Sequence, residues 1–346
     1  MKKGILLLLL LFLLAVPVSA SEITAPTVPE SGEALMPETA ESFGEGLWWI
    51  IRQAIGSLQP SVAQASGIAL SIVAVVLMES LLKTVQGSES KTLELAGSVA
   101  IGVLLLAPSN TMVQLGTETI RELSEYGKLL LPVMTAAMAA QGGTTTSAAL
   151  YAGTAAFDAV LNTAIAKLLV PMIYIFLCLA VAGSAIGEEN LKKLKDFVKW
   201  LATWGLKNLL YIFTGYLGFT GVVSGPVDAA AAKATRMAIN GVVPVVGGIL
   251  ADATDAVLVG AGIMKNAAGV YGLLAIIAVW IGPFLRIGMQ YLILKLTAAI
   301  CGVFGSKGST DLIADFSSAM GLLLAMTGAM CLLLLVSTVC FMRGVA

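Results

Sequence analysis

The sequence predicts an all-α polytopic membrane protein with roughly six full spans and two re-entrant or broken hairpins. Hydrophobic residues make up 58% of the 346 positions and charged residues only 12%, whereas globular chains carry about 25% charged residues. The apolar residues form runs of roughly 20, the length that crosses a bilayer as a helix. Glycine, proline and charged residues interrupt two of these runs, and such interruptions survive at membrane depth only where protein or water surrounds them.

The chain begins with two segments that precede the membrane domain. Residues 1–20 have the pattern of a secretory signal peptide, with Lys2 and Lys3 before a leucine run and small residues ending at Ala20. We expect cleavage after Ala20; an uncleaved anchor is the alternative. Residues 21–45 contain six glutamates and no basic residue, a composition typical of a disordered extracytoplasmic tail.

Residues 43–60 predict an amphipathic helix that lies in the membrane interface. They include the adjacent indoles of Trp48 and Trp49, and indole rings prefer the headgroup level of a bilayer. A lid helix that packs on the membrane domain is the alternative. The polytopic membrane domain then covers residues 62–342.

Within this domain, short loops set the predicted orientation. Four lysines in the loop after residue 187 mark that loop as cytoplasmic. The segments from 129 to 167 and from 237 to 300 contain the two predicted hairpins, and the second continues as a long broken span. For 129–167, two short tilted helices are the alternative. The plain spans are predicted at 62–82, 93–115, 168–186, 201–223 and 316–342, with an extracytoplasmic charged connection at 116–128.

Two halves of the domain, about 117–223 and 229–342, predict a parallel internal repeat. The spacing of 39 residues between Pro132 and Pro171 recurs between Pro244 and Pro283. Identity between the halves is low, so a duplication and a chance likeness both remain open. Repeated halves are common in transporters, whose sites lie at the repeat interface. The candidate hinge and close-packing residues are Pro132, Pro171, Pro244, Gly247, Gly248 and Pro283.

Charged residues inside apolar runs are the candidates for lining a pathway. Asp252 and Asp255 face one side of a helix at i, i+3 spacing. They could bind a cation or relay a proton inside the membrane, or they could cap a half-helix or lie at the water boundary. The remaining candidates, which could line the pathway or could be polar contacts or loop-end charges, are Asp158, Lys167, Lys265 and Arg286. An ion pair between Asp158 and Lys167 is a further option.

The sequence gives no sign of an enzyme. It contains no histidine, so the usual general base and the commonest metal ligand are missing. Its four cysteines stand singly in apolar runs, without metal-ligand spacing, and no nucleotide-binding or hydrolase motif is present. We therefore expect no catalytic residue, metal or cofactor, and the near-zero net charge argues against a nucleic-acid partner.

Three long strings resemble the stage III sporulation protein AE family of endospore-forming bacteria. The first, from Gly221, reads GVVSGPVDAAAAKATRMAINGVVPVVGGILADATDAVLVGAG. The others are KNAAGVYGLLAI, from Lys265, and DFSSAMGLLLAMTGAM, from Asp315. The signal peptide, the acidic tail and the order of the spans are similar as well, so the resemblance covers essentially the whole chain.

The resemblance implies a location in the mother-cell membrane that surrounds the forespore. It also implies partners: other proteins of the stage III sporulation A operon, including a cytoplasmic ATPase and ring-forming proteins, and indirectly a forespore-made membrane protein. Membrane lipids are expected partners of any such domain. The expected function is a subunit that lines the pathway, or forms the export gate, of a secretion-like channel that sustains the forespore. A scaffold that recruits the ATPase and the rings, and an autonomous secondary transporter, are the alternatives.

Overall fold

The computed structural model describes the backbone of residues 26–37, 42–86, 91–141, 144–186, 189–242 and 247–343. It describes their side chains as well, except those at 86, 91, 189, 218–265 and 343. Every regular element in these residues is a helix, as the composition predicts. In chain order they are α1 Glu30–Glu33, α2 Phe43–Gly56, α3 Gln59–Gln86, α4 Lys91–Ala140, α5 Thr144–Ala164, a π-helix Ile165–Leu169, α6 Val170–Ile186, α7 Glu189–Val242, α8 Gly247–Cys301 and α9 Lys307–Arg343.

Several helices are much longer than one membrane crossing requires. Helix α4 has 50 residues, α7 has 54 and α8 has 55, and 50 helical residues extend over about 75 Å. Five helical stretches are long and apolar enough to cross a membrane: Gln59–Val85, Thr92–Ala140, Thr144–Ile186, Asn266–Cys301 and Lys307–Met342. The all-α membrane architecture is thus confirmed, while the count of six spans and the topology stay predictions.

The long helices lie side by side around one apolar core. Helices α8 and α9 form an antiparallel pair in which the Ser317 hydroxyl donates a hydrogen bond of 3.2 Å to the Tyr291 carbonyl. Helix α4 packs against both of them. It also packs, in the antiparallel direction, against the continuous helical run that α5, the π-helix and α6 form. The largest core side chains from this bundle are fully buried and include Tyr126, Phe176, Phe316 and Phe341.

The prolines interrupt these helices less than the sequence predicts. The predicted break of the 237–300 segment near Pro244 falls on residues 243–246, which lie outside the described residues. Beyond that point α8 is one helix through Pro283, and α4 likewise continues through Pro108 and Pro132. A proline removes one helical hydrogen bond, and neighbouring helices can compensate for that loss. Pro171 is different, because the five-residue π-helix ends two residues before it. A single π-turn of this kind widens the helix locally, and here it comes just before the proline.

The first predicted hairpin corresponds to the junction of α4 and α5. Helix α4 ends at Ala140 and α5 begins at Thr144, and the two helices pack against each other. The charged stretch 116–128 belongs to α4, so it is helical and continuous with the apolar residues on both sides. Whether this pair of helices enters and leaves the membrane on one side stays a prediction.

Part of the acidic N-terminal segment lies on the bundle. Gly32 of α1 is buried against Val279 of α8, and the Ser31 hydroxyl donates a hydrogen bond to the Glu122 carboxylate on α4. The signal peptide lies outside the described residues, and the disorder of residues 21–45 as a whole stays a prediction. The predicted amphipathic helix is present as α2, capped by the Ser42 hydroxyl, which accepts a 3.3 Å hydrogen bond from the Glu45 amide.

Candidate functional site

The candidate residues from the sequence fall in very different surroundings. Asp158 on α5 is only 4% exposed, whereas Lys167 in the π-helix and Arg286 on α8 are exposed. No ion pair between Asp158 and Lys167 occurs in the part of the chain that the structure describes, so that predicted option is not realised. Asp252, Asp255 and Lys265 belong to the α8 backbone, which Gly247 and Gly248 open. Their side chains, and the whole of Pro244, lie outside the described residues.

Asp158 lies in the middle of the bundle with a hydroxyl partner from another helix. The Ser124 hydroxyl on α4 donates a hydrogen bond of 2.7 Å to Asp158 Oδ2, and the Asn162 amide donates one of 3.3 Å to Ser124 Oγ. The other carboxyl oxygen, Oδ1, is buried without a hydrogen-bond partner among the described residues. Desolvation of a carboxyl group is costly unless all its lone pairs are satisfied, so this group is an unusual feature of an apolar core. We call Ser124, Asp158 and Asn162 the Asp158 cluster.

Buried polar groups continue from this cluster towards the end of α9. One turn before Asp158, the Thr154 hydroxyl donates a hydrogen bond of 3.0 Å to Ser337 Oγ, and both residues are fully buried. Thr154, Asp158 and Asn162 recur every four residues and therefore share one face of α5. This face carries a row of polar groups between α4, α5 and α9, where the surrounding side chains are apolar.

A second polar cluster, centred on a buried glutamate, joins α3, α4 and α9 near the start of α9. Glu79 is 3% exposed and its carboxylate lies 3.2 Å from Lys83 Nζ, which also lies 2.7 Å from Glu94 Oε1. The Ser309 hydroxyl donates a hydrogen bond of 2.8 Å to Glu79 Oε2. These four residues, the Glu79 cluster, form a charged contact among three helices. Such a pair adds little net stability, but removal of one partner is costly because the other charge is left unpaired at a buried position.

A cavity of about 120 Å³ lies beside the Glu79 cluster, where α4, α6, α7 and α9 meet. Lys195 and Asp315 form an ion pair of 2.5 Å on its wall, with side chains only 12% and 16% exposed. Ser184 lies 2.9 Å from Ser98 Oγ and donates a hydrogen bond of 2.7 Å to the Gly308 carbonyl. Charges of both signs line the cavity, so its electrostatics do not select for one kind of ion.

Residues 39–344 match the protein-family model of stage III sporulation protein AE. The chain belongs to the stage III sporulation protein AE family. It is also similar to the stage III sporulation protein AE of Bacillus subtilis (strain 168), with 25% identity over 223 residues. That alignment covers 63% of this chain and spans 55% of the relative's own length. No solved structure gives a significant match.

Membership of this family confirms the resemblance and makes the chain a sporulation protein, and its five apolar helical stretches make it a membrane protein. The family is named for a stage of sporulation and not for a catalytic activity. The descriptions of the family and the relative identify no site residue. Any role of the Asp158 and Glu79 clusters therefore rests on their geometry.

Sequence reasoning singled out Asp158 but missed its partner and the whole Glu79 cluster. Ser124 is 34 residues from Asp158 in the chain, and no local pattern connects the two. Glu79 ends an apolar run and therefore looks like a boundary charge. The i, i+4 spacing of Glu79 and Lys83 was the one available signal, since a paired glutamate tolerates more burial than an isolated one.

Proposed function

We propose that this protein is a pathway-lining membrane subunit of the sporulation complex to which its family contributes, in the mother-cell membrane around the forespore. Its membership of the family supports the assignment to the complex. The observation that favours a pathway over a purely structural role is the Asp158 cluster. An ionisable group inside a membrane bundle is costly and usually has a functional reason. Asp158 adds an oxygen without a partner among the described residues.

In this proposal, the polar face of α5 provides a hydrated or proton-accepting surface along part of the path. Ser124 orients the carboxyl group through Oδ2, and Oδ1 would accept a hydrogen bond from a polar species that enters between the helices. Asp252 and Asp255, one turn apart in α8, would extend such a surface. A cytoplasmic ATPase and ring-forming proteins would be the partners that supply energy and continue the path.

The direct test is a set of variants in an endospore-forming host that lacks its own copy. Asp158→Asn preserves the shape and can still accept the hydrogen bond from Ser124, but it cannot carry charge. We expect it to impair forespore development while protein level and recruitment of partner proteins stay normal. Lys295→Gln is the matched control, because Lys295 is an exposed charge in another apolar helical stretch and is not one of the candidate pathway residues.

Labelling of single cysteines would test the path itself. After the native cysteines are replaced by Ala or Ser, cysteines placed along 150–162 and 247–262 should react with water-soluble thiol reagents on one helical face only. That face should include the positions next to Asp158, and those next to Asp252 and Asp255. Normal forespore development with Asp158→Asn, together with helix faces that thiol reagents do not label, would contradict the pathway proposal.

A structural scaffold is the second candidate function, and the exposed apolar face of α3 favours it. Leu70, Met78, Leu81 and Val85 on that helix are each at least 65% exposed. Such a face could hold lipid or another protein in an assembly. The scaffold is the better description if two results are found together. Asp158→Asn must leave forespore development normal, and replacing these four residues by Ser must abolish recruitment of partners.

A further inference from the structure

Helix α7 carries a row of aromatic side chains on its outer surface. Phe197, Trp200 and Trp204 are 54%, 55% and 51% exposed, and neighbouring rings stack with centroids 5.9 and 6.0 Å apart. The opposite side of the same stretch faces the bundle, where Lys195 pairs with Asp315 and Lys199 donates to Ser318 Oγ at 3.1 Å. The aromatic row is therefore a surface that the chain's own described helices leave uncovered.

Exposed lysines frame this row on the same helix face. Lys193 lies four residues before Phe197 and Lys207 three residues after Trp204, and both are exposed. These spacings place all five residues within one stripe of the helix. Neither lysine has an acidic partner in the part of the chain that the structure describes. From Asn190 to Leu217 the helix contains five lysines and a single acidic residue, Asp196.

We propose that this stripe binds the anionic phospholipid headgroups of the leaflet at which α7 enters the membrane. Seven residues separate Phe197 from Trp204, a rise of about 10 Å, which is comparable to the headgroup layer on one side of a bilayer. Indole rings favour that layer because one edge is apolar and the N–H group is polar. The strongly basic character of the segment selects lipids of opposite charge over a neutral surface.

The direction of the helix explains the position of Lys207. Side chains on an α-helix tilt towards its N-terminus, so the Lys207 ammonium extends back towards Trp204 and the headgroups. Its aliphatic stem can cover apolar surface while the charge stays in the interface. Beyond it, Tyr211 and Ile212 are 72% and 62% exposed, and they continue the same outer surface into the hydrocarbon layer.

Fluorescence quenching by brominated lipids would locate the stripe. Full-length protein with Trp48, Trp49 and Trp280 replaced by Phe retains only Trp200 and Trp204, and would be placed in nanodiscs. Lipids brominated near the carbonyls should quench these indoles roughly twofold more than lipids brominated near the chain ends, since indoles reside at the interface. A variant that retains only Trp280 is the control, because this residue is half-buried and lies 4.2 Å, centroid to centroid, from Phe284. If the triple replacement folds poorly, wild type can be compared with Trp200→Phe/Trp204→Phe. The difference in quenching between these two proteins reports the same two indoles.

Lipid retention tests the charge selectivity. In mixed phosphatidylcholine and phosphatidylglycerol nanodiscs, the purified wild-type protein should retain phosphatidylglycerol preferentially after transfer to detergent. Lys193→Gln/Lys207→Gln should lose most of that preference, whereas Lys128→Gln, an exposed lysine on α4, should keep it. Three results would overturn the proposal. The first is no quenching by either label, which would place the indoles beneath a second copy or another protein. The others are stronger quenching by the label near the chain ends, and the same preference for phosphatidylglycerol in wild type and the double variant.

Discussion

The Ser309 hydroxyl at the start of α9 donates a 2.8 Å hydrogen bond to Glu79, a buried carboxylate near the end of α3. The two residues are 230 positions apart in the chain. Gly97 of α4 lies against the same carboxylate, because a Cβ atom at that position would be 2.5 Å from Glu79 Oε2 and 2.9 Å from Cδ. A glycine thus creates the space in which a charged side chain connects three helices.

This contact predicts that Gly97→Ala destabilises the protein. Because the added methyl group displaces the Glu79 carboxylate from Lys83 and Ser309, we expect a loss of about 1–3 kcal/mol, measured as a lower thermal unfolding midpoint in detergent. Gly67→Ala on α3 is the control, since nothing lies within 4 Å of its Cβ position. There the midpoint should be unchanged or slightly higher. Equal midpoints for the two variants would mean that the Glu79 cluster adapts freely.

The ion pair between Lys195 and Asp315 predicts an asymmetry between buried and exposed charges. Because both side chains are largely buried, Lys195→Ala leaves an unpaired carboxylate and should cost about 3 kcal/mol. The double variant Lys195→Ala/Asp315→Ala should regain part of that loss. Arg121→Ala removes a pair whose side chains are 60% and 51% exposed, and its effect should be much smaller because solvent screens it. Unfolding midpoints of the four proteins would show whether the order holds.

A third prediction concerns the close approach of α5 and α7. A Cβ atom on Gly153 would lie 1.9 Å from Cε1 of Tyr216, whose hydroxyl donates a hydrogen bond of 2.7 Å to the Ala149 carbonyl. Gly153→Ala should therefore push the two helices apart or displace the ring, at a cost of about 1–3 kcal/mol. Gly215→Ala, beside Tyr216 but with open space at its Cβ position, is the control. Combining Gly153→Ala with Tyr216→Ala should recover stability; if it does not, the contact is not the cause.

The sequence predicted the helical membrane architecture because apolar runs of spanning length leave few alternatives. It also predicted a helix at the position of α2, from the adjacent Trp48 and Trp49 and the apolar face that accompanies them. It did not predict that Pro283 lies within an unbroken helix, because helix propensity is a weak prior that packing between long helices overrides. Local signals indicate where a helix is possible, and tertiary contacts decide whether it continues.

The candidate site was only partly predictable for a related reason. Asp158 stood out because a charge in an apolar run is rare, but its surroundings depend on Ser124 and Ser337 from other helices. Glu79 looked like a boundary residue, and only the contact with Gly97 and Ser309 makes it a core residue. Burial of a charge is a property of the folded bundle, so position in a run of apolar residues cannot decide it.

The predicted orientation can be tested within one helix. Lys199 and Ala232 both belong to α7. They are 33 positions apart, a rise of about 50 Å that is enough to cross a bilayer. A topology reporter fused after Lys199 should behave as cytoplasmic, and one fused after Ala232 as extracytoplasmic. A pair of fusions reporting the same compartment would reject the topology and the parallel repeat that depends on it.

The last prediction concerns the two faces of α2. Ile50 and Ala54 are fully buried, Ile50 against α8, whereas Trp48 and Trp49 are 61% and 53% exposed. The Arg52 guanidinium lies 5.7 Å from the centroid of the Trp48 ring, an arrangement that keeps the cation at the same level as the indole. If the outer face lies in the headgroup layer, Trp48→Glu/Trp49→Glu should weaken assembly in the sporulating cell without lowering the amount of membrane-inserted protein, because Gln59–Val85 still spans. Ile50→Glu is the contrasting variant and should reduce the protein level, since it places a charge in the contact between α2 and α8. Normal sporulation with the double tryptophan variant would instead identify α2 as a packed lid whose outer face has no role.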